Sequence, residues 1–425
     1  MKKWHTIWLL AFVPVLLAGC KKDKQPTPPP PDTTLMEVEL YNHFVPQPLK
    51  SYLFVSDHAG KVIAATECAA DGSYVLMGDE GVAVPETFQV SILHFDIYWH
   101  SILLNIQTFQ QVSRDSWKIG GSNPDTIGTV KVEYANLPDG HGAILLSTPG
   151  YYNLTASANP SKLNLYRNND PVLVKQQKHA DGPRYFWIDQ VVPGQLVPVD
   201  FNAMVPAAEQ STSLPFDVAF CEASLSGFQQ AFTPESLPMV CHIDFGNGQL
   251  QNFIRWSFPA DRFTDFQTEI SLPDPLAIDN RFIDRNFGPI PAAFNKLDVG
   301  IDIVSGAGPE VKLNTSGDFN VLAVKFSDLG PGEELLNWVV YTSDTTTQIR
   351  LPELPAMITD FFTGLRRDSM QLEYVETRQY RDFQSYGEFV GAMYKPDFPA
   401  GPERLNMHAY RKVVPQGIRS FLMSR

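Results

Sequence analysis

Short alternations of apolar and polar residues, broken by glycine, proline, aspartate or asparagine, run through most of this chain. Met36-Glu37-Val38-Glu39-Leu40-Tyr41 is the first, with apolar side chains at its even positions. A period of two puts one face in a core and the other in water, which predicts a half-buried strand. Residues 51–55, 61–65 and 74–77 follow, the last two flanking the turn residues Ala70-Asp71-Gly72-Ser73. Residues 88–94 and 102–109 add β-branched and aromatic runs, and together these segments predict a first β domain over residues 35–118. After Gly120-Gly121-Ser122-Asn123-Pro124 the alternation resumes at residues 129–134. It continues through 143–146, 163–166, 172–174, 185–188 and 196–199, predicting a second β domain over 122–260. A third, 261–425, has strands expected at 299–304, 321–326, 338–341 and 370–377. Two short helices are expected there: residues 355–365, with Met357, Phe361, Phe362 and Leu365 on one face, and residues 386–393. Recurring short strands with polar turns predict a mainly β fold, multidomain antiparallel β-sandwiches with a few short helices. No repeat is regular enough for a propeller or solenoid.

The first residues follow another pattern. Lys2 and Lys3 precede an apolar run over 7–17 that closes on Leu17-Ala18-Gly19-Cys20. A charged start, a short hydrophobic stretch and small residues predict a secretory signal over residues 1–19, too short for a stable spanning helix. The cysteine directly after those small residues resembles the lipobox of bacterial envelope lipoproteins. The resemblance implies cleavage before Cys20, acylation there, and membrane lipid as the first partner. Acyl chains hold by burying methylenes, each worth about 0.8 kcal/mol, so several chains anchor firmly. Residues 20–34 then read as a tether, because the prolines at 28–31 favour extended polyproline geometry. Its charged start, Lys21-Lys22-Asp23-Lys24, resembles the tethers of Bacteroidota lipoproteins, which implies an outer-membrane location and display at the cell surface.

A second resemblance lies in the body. Residues 60–77, with Gly60-Lys61-Val62-Ile63 and Asp71-Gly72-Ser73-Tyr74-Val75-Leu76, resemble the core hairpin of carboxypeptidase-regulatory-like β-sandwich domains. In surface proteins such modules act as spacers or docking units.

Composition narrows the partners. The formal charge is −14, and losing Lys2 and Lys3 with residues 1–19 leaves −16. An acidic body argues against nucleic acid, whose phosphates are bound by Lys and Arg. Chemistry is sparse: there is no HExxH, no GxSxG elbow, no phosphate or dinucleotide loop, and no implied metal or cofactor. His94, Asp96, Tyr98 and His100 share one face of an expected strand, which reads as a metal patch, a binding strip or simply the wetter side of a sheet. Cys241-His242 would face opposite sides of a strand, which argues against a thiol–imidazole pair. Cys68, Cys221 and Cys241 show no zinc spacing. Cys221 and Cys241 are a candidate disulfide, with three small buried thiols as the alternative. Trp99, Trp117, Trp187, Trp256 and Trp338 either stack on sugars or fill sheet cores. Tyr151, Tyr152 and Asn153, following the turn Thr148-Pro149-Gly150, are the short cluster marked as a candidate ligand-binding loop. These readings lead to a lipid-anchored envelope protein that binds a glycan or protein partner without catalysis. A structural scaffold of the outer membrane and an exported hydrolase are the alternatives.

Overall fold

The computed structural model describes residues 33–45, 49–79, 84–98, 101–120, 126–155, 159–177, 181–233, 236–246, 248–329, 335–395 and 401–414. Cys20 and residues 21–32 of the expected tether lie outside the described residues, and its last residue, Thr34, opens the first strand. The mainly β prediction holds. Four sandwiches follow one another along the chain. The first comprises β1 (Thr34–Tyr41), β2 (Ser51–Ser56), β3 (Val62–Cys68), β4 (Gly72–Met77), β5 (Thr87–Tyr98), β6 (Ser101–Ser113) and β7 (Asp115–Gly120). Its small sheet, in the order β4-β1-β7, covers one face of β6-β5-β2-β3. Burial alternates along β1 as the sequence pattern requires, with Met36, Val38 and Leu40 inside and Glu37 and Glu39 outside. The expected hairpin between β3 and β4 does not form. β3 pairs with β2 and β4 with β1, so residues 69–71 arch from one sheet to the other. Ile63 and Ala64 meet the first core from one side while Leu76 fills it from the other.

The stretch expected as one second domain holds two cores. The earlier is built by β8 (Gly128–Ala135), β9 (Ile144–Thr148), β10 (Tyr151–Thr155), β11 (Ser161–Leu165), β12 (Val172–Gln176), β13 (Arg184–Ile188), β14 (Leu196–Asp200) and β15 (Val205–Pro206). The later is built by β16 (Ala208–Val218), β17 (Glu222–Phe228), β18 (Met239–Asp244), β19 (Gln251–Phe258), β20 (Asp265–Asp274) and β21 (Ala277–Gly288). The fourth sandwich contains β22 (Val299–Ala307), β23 (Glu310–Gly317), β24 (Val321–Leu329), β25 (Leu335–Ser343), β26 (Gln348–Arg350), α1 (Ala356–Phe361), β27 (Gln371–Tyr380), α2 (Tyr386–Ala392) and β28 (Met407–Val413). Helix α1 buries Ile358, with Phe362 and Leu365 just beyond it, while Met357 and Phe361 of the expected face are 38% and 64% exposed. The inward face starts at Ile358, one position on from Met357, so Met357 and Phe361 point about 100° away from the core.

Three of the four sandwiches are welded into one sheet of 12 strands, in the order β18-β17-β20-β21-β28-β27-β24-β25-β6-β5-β2-β3. One weld is antiparallel, β21 to β28, and the other parallel, β25 to β6. Parallel pairs also join β1 to β7 and β8 to β14, so the sandwiches are not purely antiparallel. The weld explains why all six residues of β2 are buried. Leu53 and Val55 fill the first core, while Tyr52 and Phe54 fill the fourth on the opposite face. Helix α2 closes the joint. Its Tyr386, Phe389 and Val390 enter the first core, and the Tyr386 hydroxyl lies 2.8 Å from the Gln110 carbonyl and 2.7 Å from that of Tyr341. Ser385 caps the helix by accepting from the Glu388 amide.

Candidate functional site

Lys175 brings several reactive groups together where the second sandwich meets the third. Strand alternation turns Val172 and Val174 of β12 into their own core and Leu173 and Lys175 toward the third sandwich. The Lys175 amine donates to the carbonyls of Cys241 and Ser257, both at 2.7 Å, and lies 3.3 Å from His242 Nδ1. Ser257 Oγ stands 3.0 Å from the same ring nitrogen. Burial pushes the Lys175 ammonium down to about 7, opposed only in part by Cys241 and Glu209. Burial, and then the Lys175 charge, also lower His242 far below its ordinary value. His242 Nε2 is buried without a hydrogen-bond partner among the described residues. An amine, imidazole, hydroxyl and thiol so close together resemble a catalytic set, but all four side chains are buried and Lys175 is wholly inside. The cluster locks two sandwiches together instead of facing a substrate. Around it, Arg262 forms a two-point pair with Asp189 and sits 4.8 Å above the Trp187 ring.

A second polar cluster occupies the middle of the long sheet. Glu376, fully buried in β27, lies 2.5 Å from both Arg378 and Arg411. Burial alone would raise its carboxyl, but the two guanidiniums outweigh it and hold it down to about 2. On β21, buried Asp284 meets His408 at 3.0 Å and Arg381 at 3.2 Å, tying the third sandwich to the fourth.

Beside that weld lies a surface pocket of about 320 Å³. It forms where β20 begins, β21 ends and the chain enters β28. Phe232 and Phe287, with ring centroids 4.5 Å apart, make an apolar wall. Asp265, Asp382, Arg404 and Asn406 supply polar groups, and Gly288 and Leu405 complete the lining. Backbone contacts fix these groups: Asp265 accepts from the Phe232 amide at 3.0 Å, Asn406 accepts from Phe287 at 2.7 Å, and Arg404 donates to the Ser236 carbonyl at 3.1 Å. A concave seam with a few convergent polar groups is where small ligands usually bind.

The residues singled out in the sequence fall elsewhere. Tyr151, Tyr152 and Asn153 form strand β10, not a loop. Alternation separates exposed Tyr152 from half-buried Tyr151 and Asn153, and Asn153 is engaged with the Lys162 carbonyl at 3.1 Å. Cys221 and Cys241 are free thiols, so the candidate disulfide is not formed. The pairing of Ala223 with Asp244 sets residue 246 opposite Cys221. Cys241 is five residues further along, about 16 Å by strand rise. Disulfide bridging needs Cα atoms within about 7 Å. Burial pushes the thiols of Cys221 and Cys241 up to about 11 and about 12. Trp117, Trp256 and Trp338 are core residues, while Trp99 and His100 lie outside the described residues. His94 is half-buried against Phe44, and no metal-holding group of His, Cys, Asp or Glu occurs among the described residues. The pocket residues left no sequence signal because they come from five separate segments. Lys175 did leave one, a lone lysine closing the apolar run Val172-Leu173-Val174.

No family model matches the chain, and no curated protein matches it. Among solved structures it is similar to the native conformation of alpha-2-macroglobulin from E. coli, at 9% identity and a TM-score of 0.15. That match covers 87% of this chain and 27% of that one, and a likeness so slight carries no argument. No helix among the described residues is long and apolar enough to cross a membrane.

Proposed function

We propose that this chain is a lipid-anchored envelope protein that binds a neutral glycan, without catalysis, in the pocket beside the β21–β28 weld. The pocket lining carries the reading: a phenylalanine wall with two carboxylates, an amide and a guanidinium in the same lining. Sugar rings offer an apolar C–H face for aromatic rings and hydroxyls that both donate and accept, which such a rim satisfies. The lipobox-like start supports anchorage through Cys20, and the proline-rich tether supports a body held off the outer membrane. A glycan array followed by titration calorimetry tests the binding. Phe287→Ala and Asp382→Ala should each weaken a hit by about tenfold, the loss of one stacking or hydrogen-bonding contact. The glycan should be recovered intact; released sugar would favour the hydrolase, and an array without hits would remove the glycan. Mass spectrometry of envelope-extracted protein tests the anchor separately, and should find Cys20 N-terminal and fatty-acylated.

A further inference from the structure

The chain leaves β28 beside an end of the third sandwich where three neighbouring loops show large apolar side chains. Phe220 lies between β16 and β17, Phe245 and Leu250 between β18 and β19, and Leu276 and Ile278 at the β20–β21 tip. Their exposures run from 60% at Phe245 to 96% at Leu276. Strand pairing puts the three loops together, since Val218 faces Gln251, Glu222 faces Ser271 and Ala223 faces Asp244. The Gly248 amide donates to the Ala219 carbonyl at 3.2 Å, joining two of the loops. At the third, β28 runs antiparallel to β21 with Arg411 opposite Arg281, and the same register sets Val414 level with Ile278. The Val413 amide donates to Asn280 Oδ1 at 3.1 Å, which fixes that exit beside the tip. Residues 415–425 follow in the sequence and lie outside the described residues.

We infer that residues 415–425 dock on this end of their own chain, with Ile418, Phe421, Leu422 and Met423 covering the five exposed side chains. A monomer seldom shows so much neighbouring apolar surface uncovered. Pro415 brings no amide to prolong the β28 ladder. Reach is ample. The 11 residues can extend to about 36 Å, whereas β28 and β17 stand three strands apart in the sheet, about 14 Å. Charge agrees. The segment carries Arg419 and Arg425 with no Asp or Glu, while exposed Asp217, Glu222 and Asp279, together with Asp244, rim the loops. Arg281, also beside the tip, is turned back to the Ile278 carbonyl at 2.6 Å. Attachment at Val414 makes docking intramolecular, so an effective concentration in the millimolar range serves even weak contacts. A second copy or a membrane has no such advantage. The inference rests on neither the Cys20 reading nor the glycan pocket.

The test puts photoreactive benzoylphenylalanine in place of Phe421, in the chain from residue 20 with Cys20→Ser, which keeps every described residue and all of 415–425. After irradiation, mass spectrometry of the monomer should find cross-links to residues 219–222, 245–250 and 275–279. Leu276→Asp with Ile278→Asp should cut their yield by about tenfold, the loss of two apolar contacts, while the melting temperature holds. Arg419→Glu with Arg425→Glu should lower the yield by about threefold without touching the body, since repulsion from the acidic rim replaces attraction. Val75→Asp with Met77→Asp, on exposed positions of β4, should leave it unchanged. Cross-links confined to other parts of the chain overturn the inference, as does a yield that survives the 276/278 change. Links found only between two chains would give this end to a second copy. Links erased by phosphatidylcholine vesicles would give it to lipid, and either result overturns the inference.

Discussion

Lys175 shows how much one side chain does at the junction of two sandwiches. Its amine, in the company of Cys241, His242, Ser257 and Glu209, gives up its proton near 7, whereas in the unfolded chain it does so near 10.5. Between those values the unfolded chain binds the extra proton, so this group makes stability rise with pH from about 7 to 10.5 and adds no slope below. Lys175→Met removes that slope while leaving two buried carbonyls without a donor. Denaturant midpoints measured from pH 7 to pH 10 should therefore climb more steeply for the native chain than for the variant. Parallel curves would mean that the amine stays charged in the fold. The alternation of β12 already announced which residues face which way. What stood opposite Lys175 was hidden, because Cys241 and Ser257 lie 66 and 82 residues away.

Strand β2 makes the same point for an element. A continuous apolar run such as Tyr52-Leu53-Phe54-Val55 is readable as a buried strand, but its sequence does not say that each face belongs to a different sandwich. If both faces are packed, Leu53→Ala should cost about 2–5 kcal/mol and Phe54→Ala about 3–5 kcal/mol in chemical denaturation. A half-exposed strand would leave one of the two nearly silent. Helix α1 shows the converse: Met357, Phe361, Phe362 and Leu365 had the spacing of one face, but the helix packs through Ile358, which turns Met357 and Phe361 to water. The expected β3–β4 hairpin failed for a related reason. Asp71 and Gly72 are turn residues in either arrangement, and local sequence does not distinguish an arch between sheets from a hairpin within one. Gly246 is a firmer local signal, with φ at +71° and a Cβ position 2.8 Å from the Ala219 carbonyl. Gly246→Ala should lower stability by about 1 kcal/mol or more, seen as a lower melting temperature.

Across the whole molecule, the 12-stranded sheet makes the first, third and fourth sandwiches one body, while the second keeps two sheets of its own. Glu376 sits in that body between two arginines, and Glu376→Gln would leave buried Arg378 and partly exposed Arg411 without a counter-charge. At pH 7 it should cost about 3–5 kcal/mol. The native chain should also lose stability as pH falls from 4.5 to about 2, where this carboxylate finally protonates, and the variant should lose less. Hydrogen exchange should show β21, β28, β25 and β6 opening together, and independent opening across either weld would contradict a shared cooperative unit. By itself, the sequence determined what depends on neighbours a few residues apart: the strand periods, the turn residues, the cap of α2, the acidic balance, and the residue pattern over 1–34 from which a signal, a tether and a lipid anchor are expected. Tertiary structure alone decided which strands share a sheet, that Cys221 and Cys241 stay apart, and where Asp265, Asp382, Arg404 and Asn406 meet. Edge-to-edge pairing such as β6 with β25 joins residues more than 200 positions apart through backbone groups that every residue carries, so no side-chain pattern records it.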